Sequence, residues 1–501
     1  MTDWILRGGT VIDGTGRPRF RADVAVAADR IEAVGDIAKA AGARELDISG
    51  KIIGPGFIDV HTHDDRALFA TPEMAAKASQ GVTTVITGNC GISLAPLTLD
   101  RPPPPPLDLL GDAADYAYPR FADYLTALDA TPPAVNAACL VGHSTLRVGI
   151  MPELGRAARA DEIAGMGARL QEALDAGAIG LSTGLFYAPA SHAPPAEIEA
   201  LAARLRPAGA LYTTHMRDEG DHVLDSLDES FAVGRAAQVP VVISHHKTTG
   251  VANFGRTAAT LPKFAAAMTS QEIGLDAYPY VASSTVLRPE MIDRALKVLI
   301  TWSKAAPEQA GRELADIARD WGIGAHEAAA RLQPAGAIYW MMDEDDVRRV
   351  LAFDRTMIGS DGLPHDIHPH PRLWGTFPRV LGHYCREVGL FGLETAVHKM
   401  TGLSAARFGL SRRGTVAAGN YADLTVFDAE TVADRADFAR PTQPASGIEY
   451  VFVNGRPVWS DGKPTGERPG RALRRQQLQA ETRNGLEADD AANGRKRSEL
   501  A

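Results

Sequence analysis

The stretch GPGFIDVHTHDD, residues 54–65, places two histidines directly after the apolar strand IIGPGFIDV. Residues i and i+2 of a strand project to the same side, so His61 and His63 can reach a single metal ion. Neutral imidazoles at a rigid strand end suit a catalytic zinc. A pair of hydrogen-bonded surface histidines would give the same pattern, so the pair alone leaves both interpretations open.

The central part of the chain, residues 53–411, alternates short β-branched runs with alanine-rich helical stretches. This alternation is typical of a parallel sheet, and over this length it predicts a metal-dependent (β/α)8 TIM-type barrel, an α/β fold. Besides the first strand, the predicted strands include GVTTVITGN (81–89), GAIGLST (177–183), GALYTTH (209–215), VPVVISHH (239–246) and TMIGSDG (356–362).

Both ends of the chain have the pattern of antiparallel strands. Residues 1–52 and 412–470 contain short apolar runs separated by glycine turns, and they predict one small β-sandwich domain formed by both chain termini. Residues from about 285 to 350 break the strand rhythm and predict a mostly helical insertion. Residues 471–501 are rich in charged and polar residues and poor in large apolar ones, which predicts a disordered tail.

The composition excludes several classes of partner. The 501 residues carry a formal net charge of −10, which argues against a nucleic-acid or anionic-membrane partner. No apolar run approaches the roughly 20 residues that cross a bilayer, and the N-terminal residues lack the pattern of a secretion signal. Three cysteines without a CxxC spacing do not make a disulfide framework. We expect a cytoplasmic protein that acts on a small molecule, with a monomer favoured.

Further ligand-type side chains follow other predicted strands. His215, His245, Cys90 and Asp361 each end an apolar run, and active sites of (β/α)8 barrels lie at the carboxyl ends of the strands. Four separate strand ends with such residues favour a metal site over scattered structural groups.

A bridging lysine between the first strand and His215 is excluded, because no lysine lies between Lys77 and Lys247. The thiolate of Cys90 is a natural replacement as a zinc ligand. The alternative for Cys90 is a small buried apolar residue. We expect that second role for Cys139 and Cys385, which follow no such strand.

The chain resembles the amidohydrolase superfamily and, within it, the D-aminoacylases (N-acyl-D-amino-acid deacylases). The resemblance covers most of the chain apart from the charged tail. It is carried by GFIDVHTHDD, SQGVTTVITGNCGISLAPL, LVGHSTLR, GLFYAPA, THMRDEG, VVISHHKTTG, LDAYPYVASST, LQPAGAIYWMMDE and MIGSDGLPHDIHPHPRLWGTFPRVLGHY.

The resemblance implies a zinc-dependent hydrolase with roles for named residues. Cys90, His215 and His245 would hold one zinc tightly, His61 and His63 would form a second, weaker metal position, and Asp361 would be the catalytic acid and base. Adjacent strand residues face opposite ways, so only one of His245 and His246 can face the barrel mouth, and the resemblance selects His245. The residues it implies around the substrate are Tyr187, Lys247, Tyr278, Ser284, Tyr339, Met342 and Arg372.

The favoured substrates are N-acyl-D-amino acids with hydrophobic side chains, and two alternatives to this interpretation stay open. One is a different substrate on the same site: an N-acyl-D-glutamate or N-acyl-D-aspartate deacylase, or a cyclic-imide hydrolase. An acidic substrate side chain would need an additional cation, whereas Tyr187, Tyr339 and Met342 are apolar, which favours leucine, methionine or phenylalanine derivatives. The other alternative is a non-catalytic interaction protein, which the complete ligand set disfavours.

Overall fold

The computed structural model describes residues 2–483. Eight parallel strands form one sheet in which neighbours along the chain are neighbours in space. This confirms the predicted (β/α)8 barrel. The strands are Phe57–Asp59, Val82–Thr87, Asn136–Gly142, Gly180–Gly184, Leu211–His215, Val241–Ile243, Ile273–Ala277 and Thr356–Ile358.

The barrel closes between its first and last strands through the residues that follow them. Thr62 and Gly362 form an isolated parallel bridge, and the His63 amide donates to the Gly362 carbonyl at 3.1 Å. The Asp361 amide donates to the carbonyl of His61 at 2.7 Å. The closing seam therefore lies directly beside the predicted metal ligands.

Helices surround the barrel and bury its outer face. Their apolar sides pack with the strands into the largest hydrophobic core of the described chain. The α-helices outside the insertion are Ala67–Ala70, Ala75–Ala78, Phe121–Ala130, His143–Ile150, Ala160–Ala176, Ala188–Ser191, Pro195–Ala202, Leu205–Ala208, Val223–Ala237, Thr257–Ala267, Glu344–Ala352, Arg372–Arg379, Leu393–Met400 and Gly402–Phe408, and a π-helix spans Val380–Glu387.

Strands from the two ends of the chain share one sheet. Ile52–Pro55 pairs antiparallel with Leu424–Phe427 in a seven-stranded sheet, which also contains Thr10–Val11, Phe20–Arg21, Ile448–Val453, Arg456–Ser460 and Lys463–Pro464. A four-stranded sheet of Trp4–Arg7, Asp23–Ala27, Arg30–Gly35 and Arg44–Asp47 packs against it around a shared core.

The segment after the seventh barrel strand corrects one prediction. Besides the predicted helices it contains a sheet that was not predicted, because Ala282–Val286, Lys297–Ser303 and Ala335–Trp340 form a three-stranded antiparallel sheet. The apolar runs KVLITWS and AGAIYW supply these strands, and they pack on the helices Pro289–Ile292, Leu314–Trp321 and Ala325–Leu332 around their own core.

The predicted disordered tail is wrong for residues 471–483. Ala472 bridges Ala137 beside the third barrel strand, and residues 475–483 are helical. Leu473 and Leu478 are buried, and the Arg475 guanidinium donates to the backbone carbonyls of Leu174 and Ala178. Buried leucines and hydrogen bonds to the barrel thus anchor a segment whose composition is otherwise polar. The rest of the predicted tail lies outside the described residues.

Across residues 2–483, none of the helices combines the length and the apolar character needed to span a bilayer.

Candidate metal centre

The side chains predicted as metal ligands converge above the carboxyl ends of the barrel strands. Cys90 Sγ lies 3.2 Å from His61 Nε2 and 3.2 Å from His245 Nε2. Together with Asp361, these residues offer four ligand atoms that all lie within 4.8 Å of one another. Each comes from a different strand end, so the barrel itself sets their separation.

Three of these four residues have strained backbones. Cys90, His245 and Asp361 have φ angles of +52°, +36° and +50°, in the left-handed region that residues with a side chain rarely adopt. Each such residue costs about 1–3 kcal/mol and persists only where the surrounding structure enforces it. The strain turns each side chain from its strand end towards the common centre.

Asp361 sits between a histidine and an arginine. Its Oδ1 lies 3.2 Å from His63 Nε2, and its Oδ2 lies 2.9 Å from Arg372 Nη1. Burial favours the neutral acid, but the charges of Arg372 and His245 and the hydrogen bond from His63 hold the pKa of Asp361 well below its usual range. The carboxyl group is therefore ionised and able to accept a proton.

A second group of ligand-type atoms is formed by His215, Glu219 and His245. Glu219 is a residue that the sequence analysis missed. Its Oε1 lies 3.0 Å from His245 Nδ1, and its Oε2 lies 2.8 Å from Lys247 Nζ. A carboxylate at Nδ1 leaves Nε2 of His245 free to face Cys90, which is the usual way in which a metal-binding imidazole is oriented. The sequence feature that could have identified Glu219 is its position four residues after His215.

Asp276, at the end of the seventh barrel strand, was also missed. Its Oδ1 accepts from the His245 amide at 2.9 Å and lies 3.4 Å from His61 Nδ1. One carboxylate oxygen thus holds the backbone of one predicted ligand and lies close to the imidazole of another. A charged residue inside the apolar run IGLDAYPY was the available signal.

The residues present fit a zinc ion. Burial opposes ionisation of the thiol, but the charges of His61 and His245, with hydrogen bonds from His215 and His245, hold the pKa of Cys90 well below its usual range. A thiolate beside several imidazoles and a carboxylate is a donor set that zinc prefers. His246 lies outside this set, since its Nε2 bonds Thr260 Oγ1 at 2.8 Å and burial lowers its pKa to about 3.

A cavity of about 120 Å³ adjoins the metal centre. Four residues of the centre line it: His63, His215, His245 and Asp361. Four of the residues predicted to contact substrate line it: Tyr187, Lys247, Tyr278 and Ser284. The hydroxyl of Tyr278 and that of Ser284 are buried and have no hydrogen-bond partner among the described residues. Buried polar groups without a partner require an explanation, and a ligand in the adjoining cavity would supply one. The apolar part of the lining comes from Leu109, Phe186, Met291, Met341 and Leu363.

Three predicted substrate contacts do not line this cavity. One of them, Arg372, is buried against Asp361. The Tyr339 side chain is fully buried in the core of the insertion, where its hydroxyl accepts from the Arg288 amide at 2.8 Å and donates to the Val286 carbonyl at 3.1 Å. Met342 lines a neighbouring smaller cavity with Tyr280, and the preceding residue, Met341, lines the main cavity instead. Consecutive extended residues point in opposite directions, so a displacement of one position exchanges these two methionines.

Comparisons with known proteins agree with this geometry. The model of the amidohydrolase family matches residues 44–280 and 257–459. The chain is 58% identical to the D-aminoacylase of Alcaligenes xylosoxydans xylosoxydans over 473 residues, which span 94% of this chain and 98% of that relative.

Two solved structures share the whole architecture. One is a D-aminoacylase with a binuclear metal centre, in which one metal activates and the second attenuates; it is 58% identical, with a TM-score of 0.92 over 95% of this chain and 100% of that one. The other is the N-acyl-D-glutamate deacylase of Bordetella bronchiseptica with zinc and a phosphonate that mimics the tetrahedral intermediate. It is 46% identical, with a TM-score of 0.91 over 94% and 99% of the two chains.

Proposed function

The chain belongs to the amidohydrolase family, and from this premise we propose that it is a zinc-dependent hydrolase of N-acyl-D-amino acids, which it converts to a D-amino acid and a carboxylate. The observation that carries the proposal is the position of Asp361, which adjoins both the Cys90–His61–His245 cluster and the cation Arg372. This arrangement places a proton acceptor between a metal centre and a group that can bind a carboxylate.

Cys90, His215 and His245 would hold one zinc tightly, and His61 and His63 would form the weaker second position. Zinc, when bound, polarises the scissile carbonyl and acidifies water. Asp361 accepts the proton of the attacking water and passes it to the nitrogen of the departing amine. An ionised carboxylate suits the first step, and its burial next to Arg372 keeps it fixed for the second.

The free α-carboxylate of the substrate is assigned to the cations beside the cavity. Lys247 lines it and lies 5.6 Å from the ring centroid of Tyr278, while Arg372 lies 4.6 Å from the same ring. With the unpaired hydroxyls of Tyr278 and Ser284, these groups can hold a carboxylate and align the adjoining amide for attack.

The apolar wall of the cavity favours a hydrophobic substrate side chain, as in N-acyl derivatives of leucine, methionine or phenylalanine. Phe186 and Met341 form this wall in place of the predicted Tyr339 and Met342. Burial of such a side chain contributes about 1.5–3 kcal/mol to binding.

One observation supports a second candidate, an N-acyl-D-glutamate or N-acyl-D-aspartate deacylase. Arg294 also lines the cavity, which supplies the additional cation that an acidic side chain requires. Its guanidinium lies 2.9 Å from Asp221, and both side chains are partly exposed to solvent. Because the same cavity has an apolar wall and is also lined by the carboxylate of Glu290, we place the acidic substrate second.

The test is release of free amine from N-acetyl-D-methionine, N-acetyl-L-methionine and N-acetyl-D-glutamate, with metal removed and with zinc restored. We expect zinc-restored turnover of the D-methionine derivative, with little on the L form and less on the glutamate derivative. Faster turnover of the glutamate derivative would select the second candidate. Absence of turnover on all three by protein that retains zinc would refute the proposal.

A further inference from the structure

Lys77 is a fully buried lysine that the proposed mechanism does not use. It lies in the short helix Ala75–Ala78, and its side chain has no exposed surface. Its ammonium has four oxygen neighbours on two different parts of the chain. These are Asp59 Oδ2 at 2.8 Å, Thr62 Oγ1 at 2.9 Å, Ser360 Oγ at 2.9 Å and Asp64 Oδ2 at 3.3 Å.

These neighbours flank the proposed catalytic residues on both sides of the barrel seam. Asp59 lies two residues before His61, and Thr62 and Asp64 flank His63. Ser360 directly precedes Asp361. Asp59 completes the connection, since its Oδ1 accepts from the Ser360 amide at 2.8 Å and from the His61 amide at 3.3 Å. Lys77 and Asp59 together bind both segments at once.

The seam needs such a connection because its own backbone pairing is sparse. Among the described residues, the first and last strands share no ladder like those that join the other neighbours. The backbone bonds across the seam run from Val60 to Ile358 at 3.5 Å, from Asp361 to His61 at 2.7 Å and from His63 to Gly362 at 3.1 Å. Contact is nevertheless close: a Cβ at Gly359 would lie 2.5 Å from Cβ of His61. The separation of the two segments is therefore set tightly, and the buried charges of Lys77 and Asp59 span it together with these few backbone bonds.

We propose that Lys77 is a positioning residue that fixes Asp361 relative to His61 and His63 by closing the barrel seam beneath them. The inference rests on the proposed function. A buried ammonium with several short contacts resists displacement, because any shift leaves a charge unpaired in the protein interior. Misplacement of a reacting group by about 1 Å can reduce turnover about 100-fold.

The test is Lys77→Met in the zinc-loaded protein, with Lys399→Met as matched control. Lys399 is also fully buried, but it donates to the backbone carbonyls of Phe353 and Thr356 at the opposite end of the last strand. Both variants lose a buried ammonium and should lose stability. We expect only Lys77→Met to lower kcat about 100-fold at nearly constant KM, with zinc content unchanged.

A spectroscopic measurement separates positioning from general loosening. In the cobalt-loaded proteins, the thiolate and d–d absorption bands should change in Lys77→Met and remain as in the wild type in Lys399→Met. Wild-type kcat in folded Lys77→Met, or equal losses of kcat in both variants, would overturn the inference.

A milder variant keeps the inference testable if Lys77→Met does not fold. Ser360→Ala removes one contact of the ammonium, together with the bond that the Gly362 amide donates to the same hydroxyl, and leaves Lys77 paired with Asp59 and Asp64. It should lower kcat about tenfold, and an unchanged kcat would count against the inference. A wild-type protein that turns over none of the substrates would instead be a failure of the proposed function.

Discussion

Arg372 Nη1 lies 2.9 Å from Asp361 Oδ2, and the arginine side chain is almost entirely shielded from solvent. The pair connects two roles that the sequence had assigned separately, the binding of the substrate carboxylate and the transfer of protons. A guanidinium that neutralises Asp361 and stands near Tyr278 can contribute to both.

Replacement of Asp361 by alanine should abolish turnover and leave most of the zinc in place. A general acid and base contributes about 100- to 10,000-fold to a rate, whereas the thiolate and imidazoles remain to hold the ion. The measurement is kcat with zinc per chain. Asp366→Ala, in the same loop, is the control and should keep most of the activity. Full activity of Asp361→Ala would remove Asp361 from the mechanism.

Replacement of Arg372 by methionine should shift the pH dependence of kcat/KM. The arginine charge lowers the pKa of Asp361, so its loss raises that pKa. Acidification would then protonate the carboxylate at a higher pH, so the acid limb of the kcat/KM profile should move to higher pH. The KM should also rise, because one of the cations assigned to the substrate carboxylate is lost. An unmoved acid limb would show that Arg372 does not tune Asp361.

Replacement of Glu219 by glutamine should weaken zinc binding about 10- to 100-fold, the usual effect of losing the group that orients a metal-binding histidine. The reason is its 3.0 Å contact with His245 Nδ1. Competition with a chelator measures the affinity without reference to activity. Glu290→Gln changes another carboxylate of the cavity lining and should retain the wild-type affinity. Equal affinities in the two variants would contradict the orienting role.

The barrel and the residues at its strand ends could be predicted because both follow from local patterns. Parallel strands bring their carboxyl ends to one edge, so Cys90, His215 and Asp361 had to lie near one another. Glu219 and Asp276 escaped because they act on other residues. Their signals, a position four residues after His215 and a charge inside an apolar run, do not say which residue each one contacts. Lys77 escaped for the same reason, since its four contacts join segments distant in sequence.

The remaining differences between prediction and structure concern orientation and long-range packing. The choice between Met341 and Met342 depends on which face of one extended segment meets the cavity, and a slip of one residue reverses it. The strands Lys297–Ser303 and Ala335–Trp340 pair with each other across two intervening helices, so their partners are remote in sequence. Leu473 and Leu478 are buried because they pack on residues of the barrel, and the composition of the segment does not reveal this contact.

A buried ion pair away from the metal centre should make stability depend on pH. Glu197 Oε1 lies 2.9 Å from His143 Nε2 and also bonds Arg147, and all three side chains are buried. Burial opposes ionisation, but His143 and Arg147 lower the pKa of Glu197 to about 2 from an ordinary value of 4.5. Because the folded pKa is depressed, the stabilisation is complete above about pH 4.5 and is lost as the pH falls towards 2.

Glu197→Gln should therefore lower the free energy of unfolding by roughly 3 kcal/mol at pH 7, and the difference from the wild type should narrow below about pH 4.5. Urea unfolding of both proteins at several pH values measures this difference. Loss of zinc in acid affects the wild type and the variant alike, so it cancels in the difference between their free energies of unfolding. Glu199→Gln, on the same helix Pro195–Ala202, is the control and should stay within about 0.5 kcal/mol of the wild type. A difference that stays constant down to pH 3 would mean that the charge of Glu197 does not stabilise the fold.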